Sequence, residues 1–174
     1  MADGFTAYTP WFRSSGGETG QRPAFFAHHG GGSNSSHNQN GGSFKIQLNA
    51  TPDVDSTNDF DEGNSRFVVP INGYYYFMYN VCIQHAGNRC TEDIGISIRK
   101  NNSVIVNYED HSANSNNSTT LFTNMSGSAI ALCAANDHIE IYCTPYNGYH
   151  SGTDNSFTIG TGSRTNFNGF LLGF

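Results

Sequence analysis

Charge is scarce in this sequence. Of 174 residues, 8 are Lys or Arg and 14 are Asp or Glu, 13% in all, about half the ~25% of an average globular domain. Coiled coils, helical bundles and charge-rich disordered chains draw heavily on Glu, Lys, Arg and Ala, so none of them fits. The formal net charge is −6 and the basic residues form no stripe. Nucleic-acid binding through the phosphate backbone is therefore not expected.

Long apolar runs are missing too. None approaches the ~18–20 residues of a membrane-crossing helix, and no membrane span is expected. The opening MADGFTAYTPWF has neither the basic nor the apolar stretch of a secretory signal. The expectation from that opening is a mature fragment, or a protein that leaves its cell as virion proteins do. Cysteine is limited to Cys82, Cys90, Cys133 and Cys143 with no CxxC spacing, which argues against structural zinc. Three pairings of the four exist and spacing does not choose among them; buried thiols are the expected state. Catalytic signatures are also lacking. There is no Gly-x-Ser-x-Gly elbow, and the seven histidines are scattered. No enzymatic activity and no resident cofactor are expected.

What the sequence has is Gly (20), Asn, Ser and Thr, with 13 Phe, 9 Tyr and 1 Trp. Strand patterns dominate and helix patterns are nearly absent. Residues 22–28 read as a strand entering a low-complexity excursion over residues 30–42. Phe44, Ile46 and Leu48 alternate with Lys45, Gln47 and Asn49, the period of a half-buried strand. Residues 66–69 form a short strand stopped by Pro70, and Ile71-Asn72-Gly73 turns into the longest apolar run, residues 74–83.

That run carries Tyr74 and Tyr76 on one alternating set and Tyr75, Phe77 and Tyr79 on the other. A strand apolar on both faces is covered on both. In a two-layer sandwich one cover is the core; the other is a loop, an extension or another subunit. Further on, Ile94, Ile96 and Ile98 alternate, and Asn101-Asn102 reads as a tight hairpin. Leu121, Ile130 and Leu132 mark a strand ending near Cys133, and Asn136-Asp137 turns the chain into one with Ile139, Ile141 and Cys143 on one face. Residues 157–159 and the apolar residues 167–174 follow, the last as a central strand because an apolar edge is sticky. Eight to ten strands with regular turns mean a sandwich or barrel.

An ordered set of short motifs sharpens this. Arg22-Pro23-Ala24-Phe25 comes first, then Phe60-Asp61 before Arg66-Phe67, Pro70 with Gly73-Tyr74-Tyr75-Tyr76-Phe77, and Arg99-Lys100-Asn101. Ser126-Gly127-Ser128 with Leu132, Asp137-His138-Ile139 and Phe167-Asn168-Gly169-Phe170-Leu171-Leu172 complete it. In this order, from about residue 21 to the end, they resemble the C1q globular-head domain family within the TNF-like jelly rolls. The resemblance implies an all-β, ten-stranded antiparallel jelly-roll sandwich over residues 21–174, preceded by an arm over residues 1–20. It also implies a homotrimer, with Tyr74, Tyr75, Tyr76, Phe77, Tyr79, Phe170 and Leu172 in the core or at the threefold contact. Departures are the missing Gly-x-y stalk, Asn136-Asp137 where the family usually has Gly-Asp, and polar loops at residues 30–42 and 111–120. These departures resemble C1q-like domains carried by phages and bacteria.

Three further features are candidates for function. Asp53, Asp55, Asp59 and Asp61 crowd together with Glu62, either a loose Ca2+ site or a solvated acidic loop; the spacing fails the EF-hand pattern. His28, His29 and His37 border the low-complexity tract. Phe5, Tyr8, Trp11 and Phe12 make the arm too aromatic for a free tail; it packs on its own domain, or on a neighbouring subunit or host surface. The expected role is a non-enzymatic structural and adhesion protein of a virion surface, a capsid decoration or a tail or fibre head. It would contact other virion proteins through the arm and host surface glycans through its Asn/Ser/Gly-rich loops. The alternative is a secreted recognition domain, for which six Asn-x-Ser/Thr sequons are available.

Overall fold

The computed structural model describes residues 22–30, 36–38, 42–85, 91–113, 121–146 and 156–174. The arm with Phe5, Tyr8, Trp11 and Phe12 lies outside the described residues, as does Cys90. The described strands are β1 (Ala24–His29), β2 (Ser36–Asn38), β3 (Phe44–Lys45), β4 (Val54–Asp55), β5 (Phe60–Asp61) and β6 (Arg66–Val68). Longer ones follow: β7 (Gly73–His85), β8 (Thr91–Lys100), β9 (Ser103–Ala113), β10 (Leu121–Cys133), β11 (His138–Tyr146), β12 (Ser156–Ile159) and β13 (Gly162–Gly173). The count exceeds the expected ten because several pieces are only two or three residues long, too short to show an alternation. One of them, β2, pairs with β12 inside the tract expected to be an excursion. Among the described residues no helix is long and apolar enough to cross a membrane.

Two antiparallel sheets face each other. The first runs β2-β12-β7-β13-β1-β4, with β10 on the other side of β7; the second runs β5-β6-β11-β8-β9, with β3 on β11. The apolar β13 is central, between β7 and β1, as its composition requires. The hairpin between β8 and β9 holds Asn101 and Asn102 at φ 49° and 69°, the left-handed region that Asn tolerates.

The core lies between the sheets and is largely aromatic. From β7, Tyr75, Phe77 and Tyr79 point inward and are fully buried. Phe25 stacks on Phe67 at 4.4 Å and on Phe60 at 5.4 Å, and meets Phe167 edge-on at 5.0 Å. Such ring pairs add about 0.5–1.5 kcal/mol each beyond the area they bury. Both buried phenols are satisfied: Tyr75 donates to the Ile71 carbonyl at 2.9 Å, and Tyr79 donates across the core to the Ile96 carbonyl at 3.1 Å. Burial pushes the Tyr79 phenol up to about 12. Small residues on β10 make room for these rings, because Ala131, Ala129 and Gly127 stand opposite Tyr75, Phe77 and Tyr79. Cys82, Cys133 and Cys143 are buried thiols, as expected for those three.

Candidate functional site

The other alternating set of β7 faces away from the core. Tyr74 and Met78 are exposed there, with Tyr76 half-buried between them. Register places Ile130 of β10 and Phe170 of β13 on either side of Tyr76, and Leu132 beside Tyr74. The Tyr76 and Phe170 ring centroids are 5.5 Å apart. Ile130 and Leu132 are 65% and 58% exposed, and Leu172 stands exposed beyond Phe170. The result is a contiguous apolar surface across three hydrogen-bonded strands, of the kind that marks an interaction site when it is large. Toward the other end of the same face the surface turns polar. Ser126 donates to Asn80 Oδ1 at 2.8 Å, and Asn80 Nδ2 donates to the Arg164 carbonyl at 2.6 Å.

The candidate aromatic residues therefore divide by register. Tyr75, Phe77 and Tyr79 belong to the core, while Tyr74, Tyr76, Phe170 and Leu172 form the outer apolar face. Sequence reasoning missed Met78, Ile130 and Leu132 as members of this face. The available signal was the run Gly127, Ala129, Ala131, whose small residues on one side leave Ile130 and Leu132 on the other.

The four aspartates are not brought to one point. Asp53 Oδ1 is 3.7 Å from His28 Nε2. Asp55 accepts the backbone N–H groups of Asp59 and Phe60 at 2.9 and 3.1 Å. Asp61 accepts from Asn64 and from Arg66, whose Nε is 3.1 Å away; these partners hold its carboxyl below the usual carboxylate range. Among the described residues, no group of three His, Cys, Asp or Glu side chains is arranged to hold a metal ion. The carboxylates serve mainly as caps and pair members of the β4–β6 connection.

Asp59 is the exception, because its Oδ2 is buried with no hydrogen-bond partner among the described residues. Burial and, to a lesser degree, the neighbouring Asp55 raise its pKa, with a Thr57 hydrogen bond partly opposing them. A raised folded-state pKa means the ionised carboxylate costs stability. The cost is absent below the unfolded value near 3.8 and is complete once pH has risen through the folded value. Asp59→Asn keeps the shape and removes the charge. It is expected to raise the unfolding midpoint near pH 7 and to leave it unchanged near pH 3. Thermal unfolding at the two pH values checks this, and a gain of equal size at both would exclude the buried charge as its cause.

One open cavity of about 440 Å³ lies at the end of the sandwich, lined by Asn72, Lys100, Leu132, Cys133, Ala134 and Asp137. Lys100 Nζ donates to the Leu132 carbonyl at 2.9 Å and stands 3.7 Å from Asp137. Burial pushes the Cys133 thiol up to about 11, so it is not a nucleophile at neutral pH. This arrangement ties the end of β8 to the end of β10 and to the turn before β11.

The chain matches the family described as C1q domain over residues 24–172. No curated protein matches it. Among similar solved structures is the globular domain of zebrafish complement 1qA protein, at 19% identity. That match covers 87% of this chain and 98% of the other, with a TM-score of 0.55. The Eiger TNF of S. frugiperda is similar at 9% identity, over 87% of this chain and 92% of the other, with a TM-score of 0.61. At these identities the likeness concerns the fold, a two-sheet antiparallel sandwich of the C1q/TNF jelly-roll type.

Proposed function

Because the chain belongs to the C1q domain family, whose C1q/TNF-like domains are non-enzymatic and typically trimerise, we propose that it forms the head of a homotrimer that works by recognition. The observation that carries this is the outer apolar face of Tyr74, Tyr76, Ile130, Leu132, Phe170 and Leu172. Three copies about an axis make a heterologous contact, so this face meets a different surface of the next copy. The sandwich edge at β9 suits it, since Val104 and Tyr108 stand exposed there. Removing these side chains from water contributes on the order of 1–2 kcal/mol each, which must exceed the several kcal/mol of freedom lost on association.

In the same reading the trimer is displayed on a phage or bacterial particle as a decoration or fibre head. The aromatic arm of residues 1–20 anchors it to other particle proteins, and its uncharged Asn/Ser/Gly loops face host glycans. Supporting this are the aromatic density of the arm and the hydrogen-bonding, charge-poor composition of the loops. Light scattering on the purified chain, with mass spectrometry of intact particles, tests both levels. Three chain masses and a particle-borne chain are expected. A single-chain mass at micromolar concentration overturns the assembly, and absence from particles overturns the display.

A further inference from the structure

Among the described residues, the outer face of the second sheet, on the opposite side of the sandwich from the apolar surface, carries one cation with no carboxylate within ion-pair distance. Lys45 Nζ is 3.1 Å from Glu140, Arg66 Nε is 3.1 Å from Asp61, and Lys100 Nζ is 3.7 Å from Asp137. Arg99 makes its close contacts with uncharged groups, although the register sets it opposite Glu140 of β11. Its guanidinium lies 4.1 Å over the Tyr142 ring. Its Nε donates to Ser97 Oγ at 3.3 Å and its Nη2 donates to Ser43 Oγ at 3.0 Å. The Ser43 and Thr144 hydroxyls are themselves hydrogen-bonded at 2.5 Å.

A guanidinium has five N–H donors in a rigid fork. The two serines occupy the Nε–Nη2 side, which leaves both Nη1 hydrogens and one on Nη2. That remaining Nη1–Nη2 edge presents two parallel N–H groups, a geometry that takes an oxyanion in the bidentate manner. The ring beneath and the serines beside it fix the plane, so little freedom remains to be lost when an anion binds.

We propose that Arg99, with Ser43, Thr144 and Tyr142 around it, is a recognition site for an acidic saccharide. The carboxylate or sulfate of the sugar occupies the free edge of the fork, and the sugar hydroxyls meet the neighbouring protein hydroxyls. A chain of net charge −6 repels polyanions at long range. Beside Arg99 the Glu140 carboxylate, which accepts from the Tyr142 hydroxyl at 3.5 Å, is paired with Lys45, so the patch carries a net charge of one. That fits a single anionic group on an otherwise uncharged ligand, which favours a sugar over a nucleic acid or an acidic peptide. This inference rests on the recognition-head reading for its biological use, because three outward-facing copies turn a weak site into an avid one.

The test is binding of the full chain to immobilised sialyl-lactose, sulfated lactose and neutral lactose, with oligo-glutamate as a peptide control. Soluble sialyl-lactose titrated in parallel reads the single site whatever the assembly state. Binding to one or both acidic sugars is expected, with neither neutral lactose nor the peptide retained. Arg99→Ala should weaken it about tenfold or more, the span of a lost charged hydrogen bond. Arg99→Lys, which keeps the charge but not the fork, should lose nearly as much. Both variants should keep the wild-type mass and far-ultraviolet dichroism, and be assayed well below their unfolding midpoints. Undiminished binding by Arg99→Lys, equal binding of neutral lactose, or retention of the peptide overturns the site. A single-chain mass with intact soluble binding would remove the trimeric head and leave the site standing.

Discussion

Ile130→Glu is expected to convert the proposed three-chain assembly into single chains that remain folded. In one copy this side chain is 65% exposed, so a carboxylate there is solvated and the fold has no reason to fail. In the proposed assembly the same position sits at the middle of the apolar contact, in one row with Tyr76 and Phe170. A charge buried there without a partner costs several kcal/mol per copy, multiplied by three around the axis. That exceeds what a contact of this size supplies. Sedimentation at micromolar concentration should show the single-chain mass, with far-ultraviolet dichroism unchanged. Leu132→Glu, which alters a neighbouring point of the face, should behave the same way. If both variants kept the wild-type mass, the face would not be the contact.

The sequence carries the alternation of residues 74–83 plainly, but not which set turns inward, because both are aromatic. That choice is made by neighbours distant in sequence. Gly127, Ala129 and Ala131 come from β10 and Gly169 from β13. Their missing volume admits Tyr75, Phe77 and Tyr79 and closes the core around that set. The Asn101-Asn102 hairpin and the central place of β13 were legible because each depends on local chemistry, a tolerated positive φ and an apolar composition. The strand at Phe44 was legible from the Phe44, Ile46, Leu48 alternation, but β2, β4 and β5 were not, since two- and three-residue pairings are set by the partner strand. The exposure of Ile130 and Leu132 was hidden for a different reason. Large apolar residues are ordinarily assigned inward, and here the smaller alternating residues fill that side.

The aspartates show the same limit. Their density over residues 53–61 is visible in the sequence, but the backbone amides that claim Asp55 and the guanidinium that claims Asp61 depend on how the connection folds. Arg99 was legible only as part of a motif at a hairpin. The register of β8 against β11 sets Arg99 opposite Glu140, yet the Glu140 carboxylate pairs with Lys45 from β3 while Arg99 turns over the Tyr142 ring, an outcome no local pattern shows.

Gly169→Ala is expected to be among the most destabilising single-methyl changes in the core. Gly169 lies between Phe77 on β7 and Phe25 on β1, its register partners on the two sides. A Cβ there would stand 2.6 Å from Phe77 Cδ1, 2.9 Å from Phe25 Cε1 and 2.9 Å from the Tyr76 carbonyl oxygen. The carbonyl belongs to a strand and has little room to retreat. Phe25 is already held against Phe60, Phe67 and Phe167, so moving it disturbs the whole aromatic cluster. Overpacking of this kind costs about 1–3 kcal/mol or more, equivalent to a fall of roughly 3–10 °C in unfolding midpoint for a domain of this size. Gly173→Ala is the matched control, since a Cβ there meets nothing within 4 Å, and it should stay within about 0.5 kcal/mol of wild type. Both are compared by thermal unfolding at equal chain concentration, because assembly contributes to the midpoint. Equal losses at the two positions would point to backbone effects of removing glycine from β13, and no loss at Gly169 would mean the aromatic core is looser than its ring spacings imply.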